Sequence, residues 1–265
     1  MSYWAERIDE QANILYDKTT AQTQRELAKQ YQKQAKKVIA DMGILYEKLI
    51  EEAANGEVRP NDLYKYNRYF ELNKLINKHL RELGAKEIKI YNKQLLKMYD
   101  GVQDIITQTA PHVIATSQLF PTSGKQVLDS IWCADGKHWS SRIWTNKSKL
   151  QEELNNALMD CIVRGVPKDE AVKFFQKEFN VSYSQAERIT RTELNYVQNQ
   201  ATADRYKAAG VKQYQILAAM DTKTSDICKE MNNKVFDFGT EKVGVNYPPF
   251  HPNCRTTIIP VLKEV

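Results

Sequence analysis

The residues best suited to chemistry cluster toward the end of the chain: Asp221, Cys228, His251 and Cys254. His251 and Cys254 bracket "HPNC", the two-residue spacing of many zinc knuckles, where a ring nitrogen and a thiolate sulfur are natural ligands. Pro252 fixes φ between them, and Pro248 and Pro249 fix the approach, so both side chains can be held at one point. With Cys228 and Asp221 the set amounts to a tetrahedral zinc site. The same residues admit other readings. One is a stiff structural clasp in which Arg255 bridges carbonyls or pairs with Asp221 or Asp226. Others are a Cys228–Cys254 disulfide and a catalytic Cys–His pair. A thiol nucleophile needs its base within about 3 Å and an oxyanion site, and no Gly-rich turn follows either cysteine. Walker, H-E-x-x-H and G-x-S-x-G motifs are absent, which removes the enzyme classes that they serve.

Two further stretches carry polar chemistry. "RITRTELNY" (Arg188–Tyr196) places Arg188 and Thr192 on one helical face and Arg191 beside Asn195. Arg191 with Glu193 fits a nucleotide contact or an internal ion pair; on an otherwise apolar helix Arg191, Thr192 and Glu193 are read as part of a structural network between helix and sheet. Nearer the N-terminus, Lys74, Lys78 and Arg81 share a helical face, as do Lys86, Lys89, Lys93 and Lys97. Such faces can track the phosphates of double-stranded DNA without reading sequence. Acidic neighbours such as Glu26, Glu71 and Glu87 favour a solvated, mixed-charge surface instead.

The elements that position these groups follow from periodicity. Leu27, Tyr31, Val38, Met42, Leu45 and Leu49 line one face of a long helix. "NGEVRPND" (Asn55–Asp62) breaks it. A second helix with Leu72, Leu75, Ile76, Leu80 and Leu83 inward is expected to end near Gly84. A third has Ile88, Tyr91, Leu95, Met98, Val102 and Ile105 on a seam. Pro111, Pro121 and "TSG" (Thr122–Gly124) mark a boundary near residue 120. Helices resume near residue 148, with Leu150, Leu154, Leu158 and Cys161 inward, and stop at Gly165 and Pro167. The next carries Ala171, Phe174, Phe175 and Phe179. Ser182 or Ser184 is expected to cap another, which ends at Gly210. Beyond it the period drops to two: Tyr214, Ile216 and Ala218 alternate with Gln213, Gln215 and Leu217, and "NNKVFDF" and "TTIIPV" supply two more strands. The expected fold is mainly α: a long-helix bundle over residues 1–120, then a small α+β domain over 121–265, of three helices and a short antiparallel sheet that folds by itself.

Composition fits a soluble globular chain: 265 residues, 42% apolar, 27% charged, net charge +5. No apolar run approaches the roughly 18 residues of a membrane span, and the N-terminus lacks a signal-peptide pattern. Four unpatterned cysteines point to synthesis in a reducing compartment.

Taken in order, "KHWSSRIWTNKSKLQEEL", "SYSQAERITRTELNYVQNQA", "AAGVKQYQILAAMDTKTSDICKEMNNKVF" and "PPFHPNCRTTIIP" resemble the phage Mu F-like minor head proteins, the SPP-type head-morphogenesis family. The resemblance covers about Ile131 to Val261. Its matching positions are Arg191, Thr192 and Glu193; Asp221, Thr224, Ser225 and Cys228; and His251, Pro252, Cys254 and Arg255. Lys223 stands where the family usually has Arg, and Thr256 where many members have a second Cys. The resemblance implies a minor structural protein of a tailed-phage head, made in the host cytoplasm and carried in the virion near the portal. Portal, capsid or scaffold proteins are the implied partners, and head assembly with genome packaging or delivery is the implied role. The long apolar seams of the N-terminal helices are the candidate docking surface. Some members carry fused toxin domains such as ADP-ribosyltransferases, and the end of the chain soon after the motif predicts none here. No enzymatic activity is expected. The alternatives are a DNA-binding head protein ejected with the genome, and a nuclease or transferase using the His251/Cys254 region.

Overall fold

Apolar residues at steps of three and four generate most of the fold. The computed structural model describes residues 3–52, 68–115, 123–164 and 166–262. Helix α1 (Tyr3–Glu52) buries Leu27, Tyr31, Val38, Met42 and Leu45 on one face. Helix α2 (Arg68–Thr109) buries Leu72, Ile76, Leu80, Leu83, Tyr91, Leu95, Met98 and Val102. Two short helices follow, α3 (His112–Ala115) and α4 (Gly124–Leu128). Helix α5 (Trp139–Val163) buries Leu150, Leu154, Leu158 and Cys161, and α6 (Lys168–Ala208) buries Ala171, Phe175 and Phe179. The expected break at Asn55–Asp62, the side chain of Leu49, the Pro121–Thr122 boundary and the stop at Gly165 lie outside the described residues.

Among the described residues the long helices are fewer and longer than the periodicity alone predicts. Gly84 does not end a helix; α2 runs through it. An interior glycine costs about 1 kcal/mol relative to alanine, and its reason is space. A Cβ at this position would lie 2.5 Å from Cζ3 of Trp144. Neither Ser182 nor Ser184 caps a new helix, because α6 continues through both. Ser182 is buried and donates its hydroxyl to Asn146 Oδ1 at 3.0 Å, while Ser184 donates to the Asn180 carbonyl one turn back. Helix α5 starts at Trp139, well before residue 148. Leu75 is exposed, Ile105 and Phe174 are only half-buried, and Ile106 takes the buried place expected of Ile105.

Helix α6 ends where expected. Gly210 (φ +78°) donates to the Lys207 carbonyl and Val211 to the Tyr206 carbonyl, the paired bonds that close a helix on a left-handed residue. The chain then forms β1 (Gln213–Leu217), α7 (Asp226–Met231), β2 (Val235–Asp237) and β3 (Thr257–Val261). The sheet is antiparallel with β1 central, in the order β2–β1–β3. Gln215 pairs with Val235 on one side and Ile259 on the other. Tyr214 and Ile216 are fully buried and join Cys228, Met231, Tyr247, Phe250, Cys254 and Ile258 in one apolar cluster. Asn233, expected to adopt left-handed geometry, has φ 65°. The chain is mainly α with one small antiparallel sheet.

The contacts group into two compact units that interleave along the sequence. One comprises Met1–Gln24, Tyr91–Trp139 and Arg188–Val265; the other comprises Arg25–Ile90 and Ser140–Glu187. Each draws on residues from both sides of residue 120.

Within the second unit the core is helical and contains a charge pair. Glu87 was expected to lie on a solvated face, but its side chain is fully buried, with Lys147 Nζ 2.7 Å from its carboxylate. The Tyr31 hydroxyl, Asn146 and Ser182 surround the pair. Burial pushes Glu87 up and Lys147 down, each opposed by the charge of the other.

Candidate functional site

The site is built from three short pieces of the first unit: the turn after β1, helix α7, and the proline-rich approach to β3. The turn is self-closing. Asp221 Oδ1 accepts from the Lys223 N–H at 2.9 Å, and Thr224 Oγ1 accepts from the Asp221 N–H at 2.9 Å. Asx and hydroxyl turns of this kind hold a chain reversal without a glycine. Ser225 follows with the extended backbone of an N-cap, yet makes no side-chain cap bond. Its hydroxyl is turned to His251 Nε2 at 2.8 Å. Helix α7 then carries Cys228 inward, 3% exposed.

The second wall is "HPNC". Asn253 has φ 62°, and the Cys254 N–H donates to the His251 carbonyl at 3.2 Å, so the four residues form a tight turn. Asparagine is among the few residues that adopt this backbone readily. The turn is tied to α6: the Asn253 N–H donates to Thr192 Oγ1 at 3.1 Å, while Thr192 donates to the Arg188 carbonyl. Asn195 and Asn199, one turn apart on α6, both donate to the Thr256 carbonyl, at 3.0 and 3.1 Å.

These pieces converge on a thiol–imidazole–thiol cluster. Cys228 Sγ is 3.2 Å from His251 Nε2 and 3.7 Å from Cys254 Sγ, and the three donor atoms lie within 4.8 Å of one another. His251 Nδ1 is 2.8 Å from the Pro252 carbonyl. A carbonyl only accepts, so Nδ1 carries a proton, and in the neutral ring the Nε2 lone pair faces the Ser225 hydroxyl and the Cys228 thiol. Cys254 is fully buried, and burial pushes its thiol up. A recess of about 20 Å³ adjoins the cluster, lined among others by Ser225, Cys228, His251 and Arg255.

Asp221 is not in this cluster. Its Oδ1 receives Arg255 at 2.6 Å, and that hydrogen bond, joined by those from Lys223 and Thr224, holds its carboxyl well below the usual range. Of the α6 triplet, Arg191 is exposed and its carbonyl accepts from the Tyr16 hydroxyl at 3.0 Å. Thr192 holds the turn, and Glu193 is buried and accepts from Trp132 Nε1 at 3.0 Å. On α2, Lys74, Lys78, Arg81, Lys89, Lys93 and Lys97 are exposed and Lys86 half-buried. Lys97 donates to Gln22 at 2.8 Å.

Sequence reasoning missed three supports of the site. The Asn195/Asn199 pair had a signal, since i,i+4 amides on a largely buried helical face require acceptors. Trp132 and Tyr16 had none, because their partners lie 61 and 175 residues away.

Residues 152–259 match the family described as Phage Mu protein F like protein, a span that contains the whole cluster and its α6 anchor. A curated relative, the NAD(+)–arginine ADP-ribosyltransferase EFV of Enterococcus faecalis (strain ATCC 700802 / V583), is 27% identical over 144 residues, 49% of this chain and 30% of the relative. The chain thus spans under a third of that protein's length. No solved structure gives a significant match. Among the described residues no helix is long and apolar enough to cross a membrane. Through residues 152–259, less than half of its length, the chain is similar to the phage Mu protein F like family.

Proposed function

We propose that this protein is a minor structural component of a tailed-phage head, associated with the portal, that acts in head assembly and in packaging or delivery of the genome. The match over residues 152–259 carries the reading. Two features support a binding role over a catalytic one. The recess beside His251 and Cys254 is about 20 Å³, little more than the roughly 10–15 Å³ that a water needs. Helices α1 and α2, of 50 and 42 residues, offer long side-chain ladders to partner proteins. The transferase named in the comparison extends far beyond the shared segment, so its activity is not carried over.

The test is co-purification of the tagged full-length protein with portal protein from infected cells, with mass spectrometry of mature virions. Recovery of the portal, and presence of the chain in virions at low copy, is the expected result. Absence from both procapsids and virions would overturn the reading.

A second reading rests on the exposed lysines of α2. In it the protein also contacts double-stranded DNA without sequence preference. Lys78→Ala/Lys89→Ala/Lys93→Ala would then weaken binding and flatten its salt dependence, because each lost phosphate contact removes a released counterion. Unchanged affinity in that variant would count against it.

A further inference from the structure

Two thiols and an imidazole meet at one point of the first unit, beside the apolar cluster that buries the thiols. Cysteine pairs buried for packing alone do not need a histidine nitrogen between them. A disulfide needs the sulfurs about 2.05 Å apart, whereas these stand at 3.7 Å. That separation has another natural explanation. Two sulfurs each about 2.3 Å from a zinc ion at a tetrahedral angle are about 3.7 Å apart, and a sulfur and a ring nitrogen slightly less. The cluster shows 3.7 Å and 3.2 Å.

The surroundings fit a metal as well. The Nδ1–H of His251 is held by the Pro252 carbonyl. This is the outer-shell bond that fixes a zinc-bound imidazole and presents Nε2. The ligands come from two rigid supports: a short helix, and a turn bolted to α6 through Asn253 and Thr192. Asp221, the fourth donor suggested by sequence, is engaged by Arg255 instead. The fourth side of the cluster faces the small recess, where Ser225 Oγ lies 2.8 Å from Nε2.

We propose that Cys228, His251 and Cys254 bind one zinc ion, whose fourth position is taken by a water seated in the recess beside Ser225. The ion cross-links α7 to the turn before β3, two segments otherwise joined by side-chain hydrogen bonds and the apolar cluster around Tyr214. Both cysteines bind as thiolates, so binding releases their protons to solvent. The proposal does not depend on the head-protein reading and is tested separately from it.

The full-length chain, purified without chelator, is assayed for metal by plasma mass spectrometry, and the chelator-stripped protein is titrated with Co²⁺. The expected result is close to one zinc per chain and an intense thiolate-to-cobalt absorption band. Both should persist in Cys133→Ser/Cys161→Ser, which leaves only the two proposed thiols, and should be lost in Cys228→Ser and in Cys254→Ser. If the single variants misfold, the Cys133→Ser/Cys161→Ser protein decides by itself, because its band can come only from Cys228 and Cys254. A folded, reduced chain with no zinc and no cobalt band would overturn the proposal. So would zinc retained in both single variants, or a Cys228–Cys254 disulfide in the protein as isolated.

Discussion

Two ion pairs of nearly equal length sit in opposite settings. Glu87–Lys147, in the second unit, spans 2.7 Å with side chains 0% and 4% exposed. Asp221–Arg255, in the first, spans 2.6 Å with side chains 45% and 39% exposed. Distance therefore says little about what each does. The buried pair has given up its hydration and depends on every neighbour that replaces it: Tyr31, Asn146 and Ser182. The exposed pair keeps its water and closes a surface turn. The difference lies in hydration: the second unit's pair is committed to one internal polar arrangement, while the first unit's pair ties a turn at the surface.

The largest effect is expected from breaking the buried pair. Lys147→Met leaves Glu87 buried without its cation and should destabilise the chain by about 3–5 kcal/mol, read from urea unfolding. Glu87→Met/Lys147→Met removes both charges and should recover most of that loss. A single variant as stable as the wild type would mean that the pair is hydrated in solution.

A smaller loss is expected on truncation. In the first unit, Asp9 accepts from Thr257 at 2.6 Å, Tyr99 donates to Asp204 at 2.9 Å and Gln103 donates to the Ala201 carbonyl at 2.7 Å. A 121–265 fragment lacks Asp9, Tyr99 and Gln103. It should unfold at a lower urea concentration than the same segment in the full chain, as followed by the thiol reactivity of Cys228 and Cys254. Equal midpoints would establish residues 121–265 as an independent domain.

Asp204 supplies a pH test within the first unit. Burial raises its carboxyl above the ordinary value, against the hydrogen bonds from Tyr99 and Gln200. A raised folded value means that the acid form is favoured in the folded state. The stability it confers is full below the unfolded value, about 3.9, and fades as pH rises through the folded one. Wild type should therefore gain on Asp204→Asn as pH is lowered from neutral to about 4, measured by paired urea melts. A difference constant with pH would remove Asp204 from the account.

The smallest effect belongs to the exposed pair. Arg255→Gln should leave the melting temperature nearly unchanged, since solvent and salt screen such contacts. A large drop would show that the Asp221 turn bears on the sheet more than its exposure indicates.

Legibility from sequence followed the range of the interaction. Faces set by local steps, such as Leu72, Ile76, Leu80 and Leu83 on α2, or Tyr214 and Ile216 on β1, were readable because the period is a property of the element itself. The convergence of His251 and Cys254 was readable for the same reason, since they stand three positions apart with a proline between them. Gly84 was misread because its meaning lies in the Trp144 ring, 60 residues on. Glu87 was misread because its cation is equally distant. Ser225 holds the N-cap position of α7, and nothing near it in sequence reveals that a histidine claims its hydroxyl.

One feature of the sheet bears on how copies of this protein associate. The Ile216 N–H donates to the Lys234 carbonyl on the β2 side. Because backbone groups alternate along a strand, those of Tyr214 face β2 too. Tyr214 pairs with Pro260, so the backbone of Pro260 faces away from β1, along the outer side of β3. Proline has no N–H there to offer. A second molecule therefore finds a gap in the donor row that edge-to-edge polymerisation requires. At the β3 edge, a missing proton at Pro260 and the Asn195 and Asn199 side chains on the Thr256 carbonyl both stand against a further strand.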